Sequence, residues 1–329
     1  MVTGEQISFA QALNLALDEA MSVDPSVFLL GEDIADEQVG GVFKVTAGLS
    51  TKFGVHRVRA TPIAEQAIIG AAVGAAINGM RPVAEIMFMN FITVCMDQVV
   101  NHAAKLRFMS GGLTGVPLTI RCATGAGVGF GGQHSDMLEA WFAHVPGMKV
   151  VAPSTAADAK GLLLSAIEDD DPTLVIENIQ MYATKGPAPD PGYRVPLGKA
   201  SIRREGSDVT VVSYGRPMND VMAVAEELHR SGIAVEVIDL RTIAPFDQET
   251  VLNSVAKTGR AVVVHEAVKS FGVGAEVSSR IHEELFGQLR APVARVGSKY
   301  SPVPFSPPLE RAYLYSRAEI RAAIEGTIK

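Results

Sequence analysis

The chain reads as an α/β protein: a parallel sheet with helices on both faces, followed by a second, smaller α/β unit. Three observations predict this. Short apolar runs alternate with stretches of helical period along almost the whole sequence. A Pro/Gly-rich stretch, KGPAPDPGYRVPLGK (185–199), has neither period, and the alternation restarts beyond it. A length of 329 residues is enough for two full cores. The expected division is a first domain over 1–184, a linker over 185–204 and a second domain over 205–329.

Residues 8–22 carry apolar positions at helical spacing, and VFLLGED (27–33) is a buried strand ending in acids. In RATPIAEQAIIGAAVGAAING, Thr61 reads as a helix N-cap and Pro62 as its first residue. RPVAEIMF is a strand ending at Phe88, followed by a helix from about Phe91 to Met109. VPLTIRC (116–122) is a strand, and the glycine-rich loop GAGVGFGGQHS (125–135) follows it. Helix 136–143, strand MKVVAP, helix 155–168 and strand TLVIEN (173–178) complete the first unit. Beyond the linker come SDVTVVSYG, helix 217–231, AVEVIDLRT, helix 247–257, RAVVVHEAV, a helix from about 273, VARVG and a C-terminal helix ending near Ile328.

Composition narrows the function classes. Hydrophobic residues make up 47% and charged ones 20%, which predicts a large apolar subunit interface. A membrane is the rival explanation, but the longest apolar run is about eleven residues, too short to span a bilayer. A net charge of −7 leaves no basic footprint for nucleic acid. Two cysteines, Cys95 and Cys122, make no disulfide framework and fit a reducing compartment. The start MVTGEQISFAQ carries no targeting pattern, so a cytoplasmic, bacterial protein is expected.

Several residues stand out as chemistry. Glu65 lies one turn into an otherwise apolar, small-residue helix, where a carboxylate is costly unless paired or protonated. Gly70, Ala71, Ala72, Gly74, Ala75 and Ala76 let another backbone or a flat ligand approach closely. Glu32 and Asp33 end a strand at the edge where parallel sheets place ligands, Asp33 reading as a solvated turn acid. Phe88 and Phe91 flank the end of the next strand, as core or as a wall for an aromatic cofactor. Gly127-Val-Gly129-Phe-Gly-Gly132 fits the dinucleotide pattern, but no acid closes the next strand to hold a ribose, so a nicotinamide enzyme is disfavoured. An active-site loop presenting Gln133, His134 and Ser135 suits the sequence better, with His134 as acid, base or anion partner. The run Glu168–Asp171 is a surface loop whose carbonyls could hold a cation. His265-Glu266 ends a strand of the second unit, with no partner that sequence can name.

These segments carry a resemblance. LLGEDI, TPIAEQAIIGAAVGAA, RPVAEIMFMNF, MDQVVNHAAK, MSGGL, GGQHSDMLEAWFAHVPGMKVVAPS, DAKGLLLSAI, DLRTIAPFD and FGVGAEV run through both units. In that order they resemble the beta subunit of thiamine diphosphate-dependent 2-oxo acid dehydrogenases: pyruvate, acetoin and branched-chain. The resemblance implies a pyrimidine-binding domain and then a transketolase C-terminal-like domain. It implies that Glu65 meets N1′ of the aminopyrimidine, favouring the imino tautomer whose 4′-nitrogen takes the thiazolium C2 proton. Phe91 would pack on the aminopyrimidine, Glu32 would lie in the polar path behind Glu65, and His134 would reach the substrate end.

The resemblance further implies a potassium ion at Leu118, Ala166, Ile167 and Asp169, completed by Asp171. The family often has glutamine at Asp136 and asparagine at Asp171, so substrate-side electrostatics and the cation site can differ here. Thiamine enzymes hold Mg²⁺ and the diphosphate with a GDG segment, which this chain lacks. The resemblance therefore implies half an active site, completed by an alpha subunit in an α2β2 assembly, with Mg²⁺ held mainly there. Pyruvate or acetoin is the expected substrate and a branched-chain 2-oxo acid the alternative. The acyl group would pass to the lipoyl arm of an acyltransferase docking on the C-terminal domain.

Overall fold

The computed structural model describes residues 5–329. The start of the first domain at residue 1, and the MVTG part of the leader reading, lie outside the described residues. The chain packs as two compact units. One takes the residues up to Thr124 and Trp141–Leu197; the other takes Gly125–Ala140 and Gly198–Lys329. The division falls between Leu197 and Gly198, and the glycine-rich loop goes with the second unit.

The first unit contains β1 (Gln6–Ser8), β2 (Val27–Glu32), β3 (Val58–Thr61), β4 (Arg81–Phe88), β5 (Thr119–Thr124), β6 (Lys149–Val151), β7 (Thr173–Asn178) and β8 (Lys185–Pro187). Its parallel strands run in the order β6-β7-β5-β4-β2-β3. The chain adds β3 on one side of β2 and then crosses to add β4 on the other. That reversal opens a crevice at the carboxyl ends of β2 and β4, where Glu32 and Phe88 sit. β8 pairs antiparallel with β1, so the expected linker begins as a strand.

Helix α1 (Phe9–Val23) starts on a capping box between Ser8 and Gln11. It buries Phe9, Leu13, Ala16, Leu17 and Met21, apolar positions at the helical spacing expected over 8–22, and packs on α6 of the same unit. After α1 come α2 (Leu49–Phe53), α3 (Glu65–Ile77), α4 (Leu106–Met109), α5 (Glu139–Ala143) and α6 (Ala156–Glu168).

Three elements differ from the sequence reading. Helix α3 starts at Glu65, with Ala64 at the cap position and no side-chain cap. Thr61 is instead the last residue of β3, paired with Glu32 of β2. Pro62 explains this, because it keeps the residue before it extended. The expected helix 91–109 is broken into a 3-10 segment (Met89–Cys95), a π-helical turn (Gln98–Ala103) and α4. Side chains bond the backbone there: Thr93 Oγ1 donates to Asn90 O at 2.7 Å, and Cys95 Sγ approaches Ile92 O at 3.3 Å. The expected helix 136–143 forms only from Glu139.

The second unit contains β9 (Ser201–Arg204), β10 (Val209–Ser213), β11 (Val235–Asp239), the short β12 (Thr242–Ala244), β13 (Ala261–Val268) and β14 (Ala294–Ser298). Its sheet runs β14-β13-β10-β11-β9, with only the edge strand β9 antiparallel. Helices α7 (Pro217–His229), α8 (Gln248–Thr258), α9 (Val273–Leu285), α10 (Pro307–Tyr313) and α11 (Arg317–Ile328) complete it. The strand order reverses between β10 and β13, so the ligand edge of this sheet lies near Tyr214, His265 and Glu266.

Candidate active site

In the first unit, Glu65 opens α3 and is half-buried. It stands in the first turn, where the helix N–H groups have no partner within the helix. Glu32, at the end of β2, has its carboxyl raised above the ordinary value by burial and then by the charges of Asp33 and Glu65. The two acids thus sit close enough to repel. Thr61 Oγ1 is buried without a hydrogen-bond partner, and so is Gln98 Oε1. The orphaned Thr61 hydroxyl, on the strand residue paired with Glu32, suits a polar heterocycle that brings its own donors and acceptors.

Phe91 lies on the 3-10 segment after β4, edge-on to Phe88 at 5.7 Å between ring centroids. Phe88 is in turn edge-on to Phe43, and Phe43 stacks on Tyr182 at 4.8 Å. Phe91 is therefore a half-buried member of an aromatic ladder, a firm apolar wall at the carboxyl edge. Beneath it, Arg121 is sandwiched between Glu85 at 2.6 Å and Glu177 at 2.7 Å, and Tyr182 donates to Glu177 at 2.8 Å.

His134 belongs to the second unit, on a loop whose glycines are strained for any other residue. Gly125, Gly127, Gly129 and Gly131 have φ of 112°, 100°, 76° and 73°. Successive N–H groups in such a loop form a nest for an anion. The anion is the protein's own: Glu310 of α10 accepts from Gly127 N at 2.7 Å and from Gly129 N at 3.1 Å, and Glu266 of β13 accepts from Ala126 N at 2.8 Å. The dinucleotide-like pattern is thus satisfied internally. Further along, Tyr214 donates to buried Glu139 at 2.6 Å, while Glu139 Oε2 and Ser135 Oγ have no partner. Burial pushes the Glu139 carboxyl up to about 7; the Tyr214 bond opposes this and the charge of Glu266 adds to it. His265 is buried, with its pKa lowered by burial to about 4, and packs as core against Gly272 and Gly274.

Two domain families match the chain in succession. The transketolase pyrimidine binding domain matches residues 5–185, and the transketolase C-terminal domain matches residues 198–320. The chain is 46% identical to the beta subunit of acetoin:2,6-dichlorophenolindophenol oxidoreductase of Cupriavidus necator, over 98% of each chain. It is 48% identical to the pyruvate dehydrogenase E1 component subunit beta of Acholeplasma laidlawii, over 88% of each. Identity to the 2-oxoisovalerate dehydrogenase subunit beta of Bacillus subtilis is 41%, over 97% of each. The chain belongs to this family of dehydrogenase beta subunits. A solved structure titled "Split gene transketolase, inactive beta4 tetramer" shares the fold, with a TM-score of 0.78 and 24% identity over 98% of each chain.

In this family member, the acceptors expected for potassium lie at the opposite edge of the first sheet from Glu32, before β5 and β7 and at the end of α6. They already serve the chain's own cations. The Arg81 guanidinium donates to Ile167 O and Asp169 O at 3.0 Å each, and pairs with Asp170 at 2.7 Å. Lys149 reaches both Asp169 oxygens at 2.7 Å, and Arg107 pairs with Asp171 at 2.7 Å. Leu118 O accepts from Thr173 N, and Ala166 lies buried in the last turn of α6. A potassium ion would have to share Ile167 O and Asp169 O with Arg81, so these residues fit it poorly. Among the described residues, no group of three or more His, Cys, Asp or Glu is arranged to hold a metal.

Sequence reasoning passed over Arg121, Glu85, Glu177, Glu139 and Glu310. A charged residue inside VPLTIRC or TLVIEN was the available signal for the first network, since a buried charge demands a partner. Glu310 carried no signal, because its partners are backbone groups 181 and 183 positions away.

Proposed function

We propose that this chain is the beta subunit of a thiamine diphosphate-dependent dehydrogenase that cleaves acetoin or decarboxylates pyruvate and passes the acyl group to a lipoyl-bearing acyltransferase. The observation that carries this reading is the acidic pair Glu32–Glu65 with the orphaned Thr61 Oγ1 at the carboxyl edge of a pyrimidine-binding sheet. When bound, thiamine diphosphate supplies the electron sink for the carbanion left by carbon–carbon cleavage. Glu65 holds a proton at N1′ of the aminopyrimidine, with Glu32 behind it able to take up or return that proton. Phe91 walls the ring and excludes water. His134 serves as a proton or charge partner for the substrate oxygen.

An alpha subunit completes the assembly and brings the groups for Mg²⁺ and the diphosphate. Supporting this, Ile63 beside Glu65 is 73% exposed, and Phe108 and Leu113 are 90% and 91% exposed. Such side chains suit a permanent interface. No helix of the described residues is long and apolar enough to cross a membrane.

The test is reduction of an artificial electron acceptor by the chain alone and by the chain coexpressed with its alpha subunit, given thiamine diphosphate, Mg²⁺ and a panel of acetoin, pyruvate and branched-chain 2-oxo acids. Activity is expected only in the paired sample, and Glu65→Gln should abolish it with assembly intact. Wild-type turnover in Glu65→Gln would overturn the role of that carboxylate.

A further inference from the structure

We infer that Glu310 and Glu266 are positioning residues for His134: two buried carboxylates, from α10 and β13, clamp the backbone of the glycine-rich loop and thereby set the imidazole. The role of the imidazole itself rests on the reading above. Both acids are almost fully buried, at 3% and 1% exposed. Between them they accept from three backbone N–H groups within four residues, Ala126, Gly127 and Gly129. Hydrogen bonds from N–H to an ionised carboxylate are among the stronger ones a loop can make. The loop needs them. Glycines lose more freedom on ordering than other residues, and those at positions 125, 127, 129, 131 and 132 lie within eight positions.

The clamp extends towards His134. A Cβ on Gly131 would lie 2.4 Å from the ring of Phe305, in the segment that leads into α10. Ala126 packs with Val303 and Tyr313, which lie on either side of Glu310 in the sequence. His134 N then donates to Gly131 O at 3.3 Å, closing a turn directly on the clamped residues. From Ala126 to His134 the backbone is thus fixed by acceptors and packing drawn from β13, α10 and the segment before α10.

The experiment uses the coexpressed alpha–beta holoenzyme carrying Glu310→Gln, Glu310→Ala, Glu266→Gln, His134→Ala, or Glu310→Gln with His134→Ala. Amide hydrogen exchange is read over residues 125–135, and kcat and KM are measured across pH. Glutamine keeps one acceptor but turns an NH2 towards an N–H group, so it should raise exchange in this segment roughly 10- to 100-fold. Exchange elsewhere in the second unit should stay unchanged. kcat should fall with little change in KM, and the double variant should be no slower than His134→Ala.

If Glu310→Ala does not assemble, Glu310→Gln and Glu266→Gln decide the matter. Unchanged exchange over 125–135 overturns the clamp. A double variant slower than His134→Ala by the full Glu310→Gln factor overturns action through His134. Unaltered turnover in His134→Ala overturns the imidazole's role, while the exchange result still judges the clamp by itself.

Discussion

Replacing Glu139 with glutamine should make the chain's stability less sensitive to pH, and the structure sets the size of the effect. Glu139 is fully buried, accepts one hydrogen bond from Tyr214 and leaves Oε2 without a partner. Its carboxyl moves from an ordinary 4.5 to about 7 in the folded chain, chiefly through burial. A carboxyl with a raised value binds its proton more tightly when folded. Its stabilising contribution is therefore complete below about pH 4.5 and is lost as the pH rises through about 7. At about 1.4 kcal/mol per unit, the loss amounts to about 3 kcal/mol.

Glutamine accepts the same Tyr214 bond and never ionises. Urea unfolding, followed by the fluorescence of Trp141 (the only tryptophan), should be run on both proteins from pH 5 to 8. The two stabilities should lie close at pH 5, part up to about pH 7 and stay apart to pH 8, with the variant the more stable there. Other titrating groups act equally in both and cancel in the difference. Parallel curves over the whole range would refute the argument that Glu139 is folded in as a neutral acid.

Arg121→Leu should destabilise the chain by about 3–5 kcal/mol in the same unfolding assay, because it leaves the buried Glu177 and the half-buried Glu85 without their cation. A loss below about 1 kcal/mol would mean that water reaches this network. Exchanging potassium for sodium should leave the melting temperature unchanged, since Arg81 and Lys149 already occupy the acceptors at the end of α6 and before β7. A rise specific to potassium would show the ion displacing the Arg81 guanidinium.

Most of the fold was legible because burial in α/β units follows the period of the sequence. The stripe Phe9, Leu13, Ala16, Leu17 and Met21 needed only spacing, and so did the all-buried strands β5 and β7. The misread stretches were those where a local rule met a longer-range one. Thr61 and Pro62 look like a helix start, yet pairing with β2 holds Thr61 extended. The segment 89–109 has helical composition, yet its side chains bond its own backbone. Among the candidate site residues, Glu65 stood out as a misfit in an apolar helix, whereas Glu32 and Phe91 were marked only by their places at or beside strand ends. His134 was visible from its glycines, but the carboxylate that those glycines enclose was not, since a nest does not record in sequence which anion fills it.

The order of the two units along the chain has a consequence for how this subunit can be divided. The backbone leaves the first unit at Gly125, returns at Trp141 and leaves again at Gly198. A cut between Leu197 and Gly198 would therefore yield no self-contained halves. The N-terminal fragment would keep Ala126, Gly127, Gly129 and Glu139 but lose Glu266, Glu310 and Tyr214, their partners. The other fragment would keep both buried acids without the loop N–H groups that they accept from. Gene fission or domain shuffling at that junction is penalised by the wiring of the loop, although the junction resembles a boundary in every other respect.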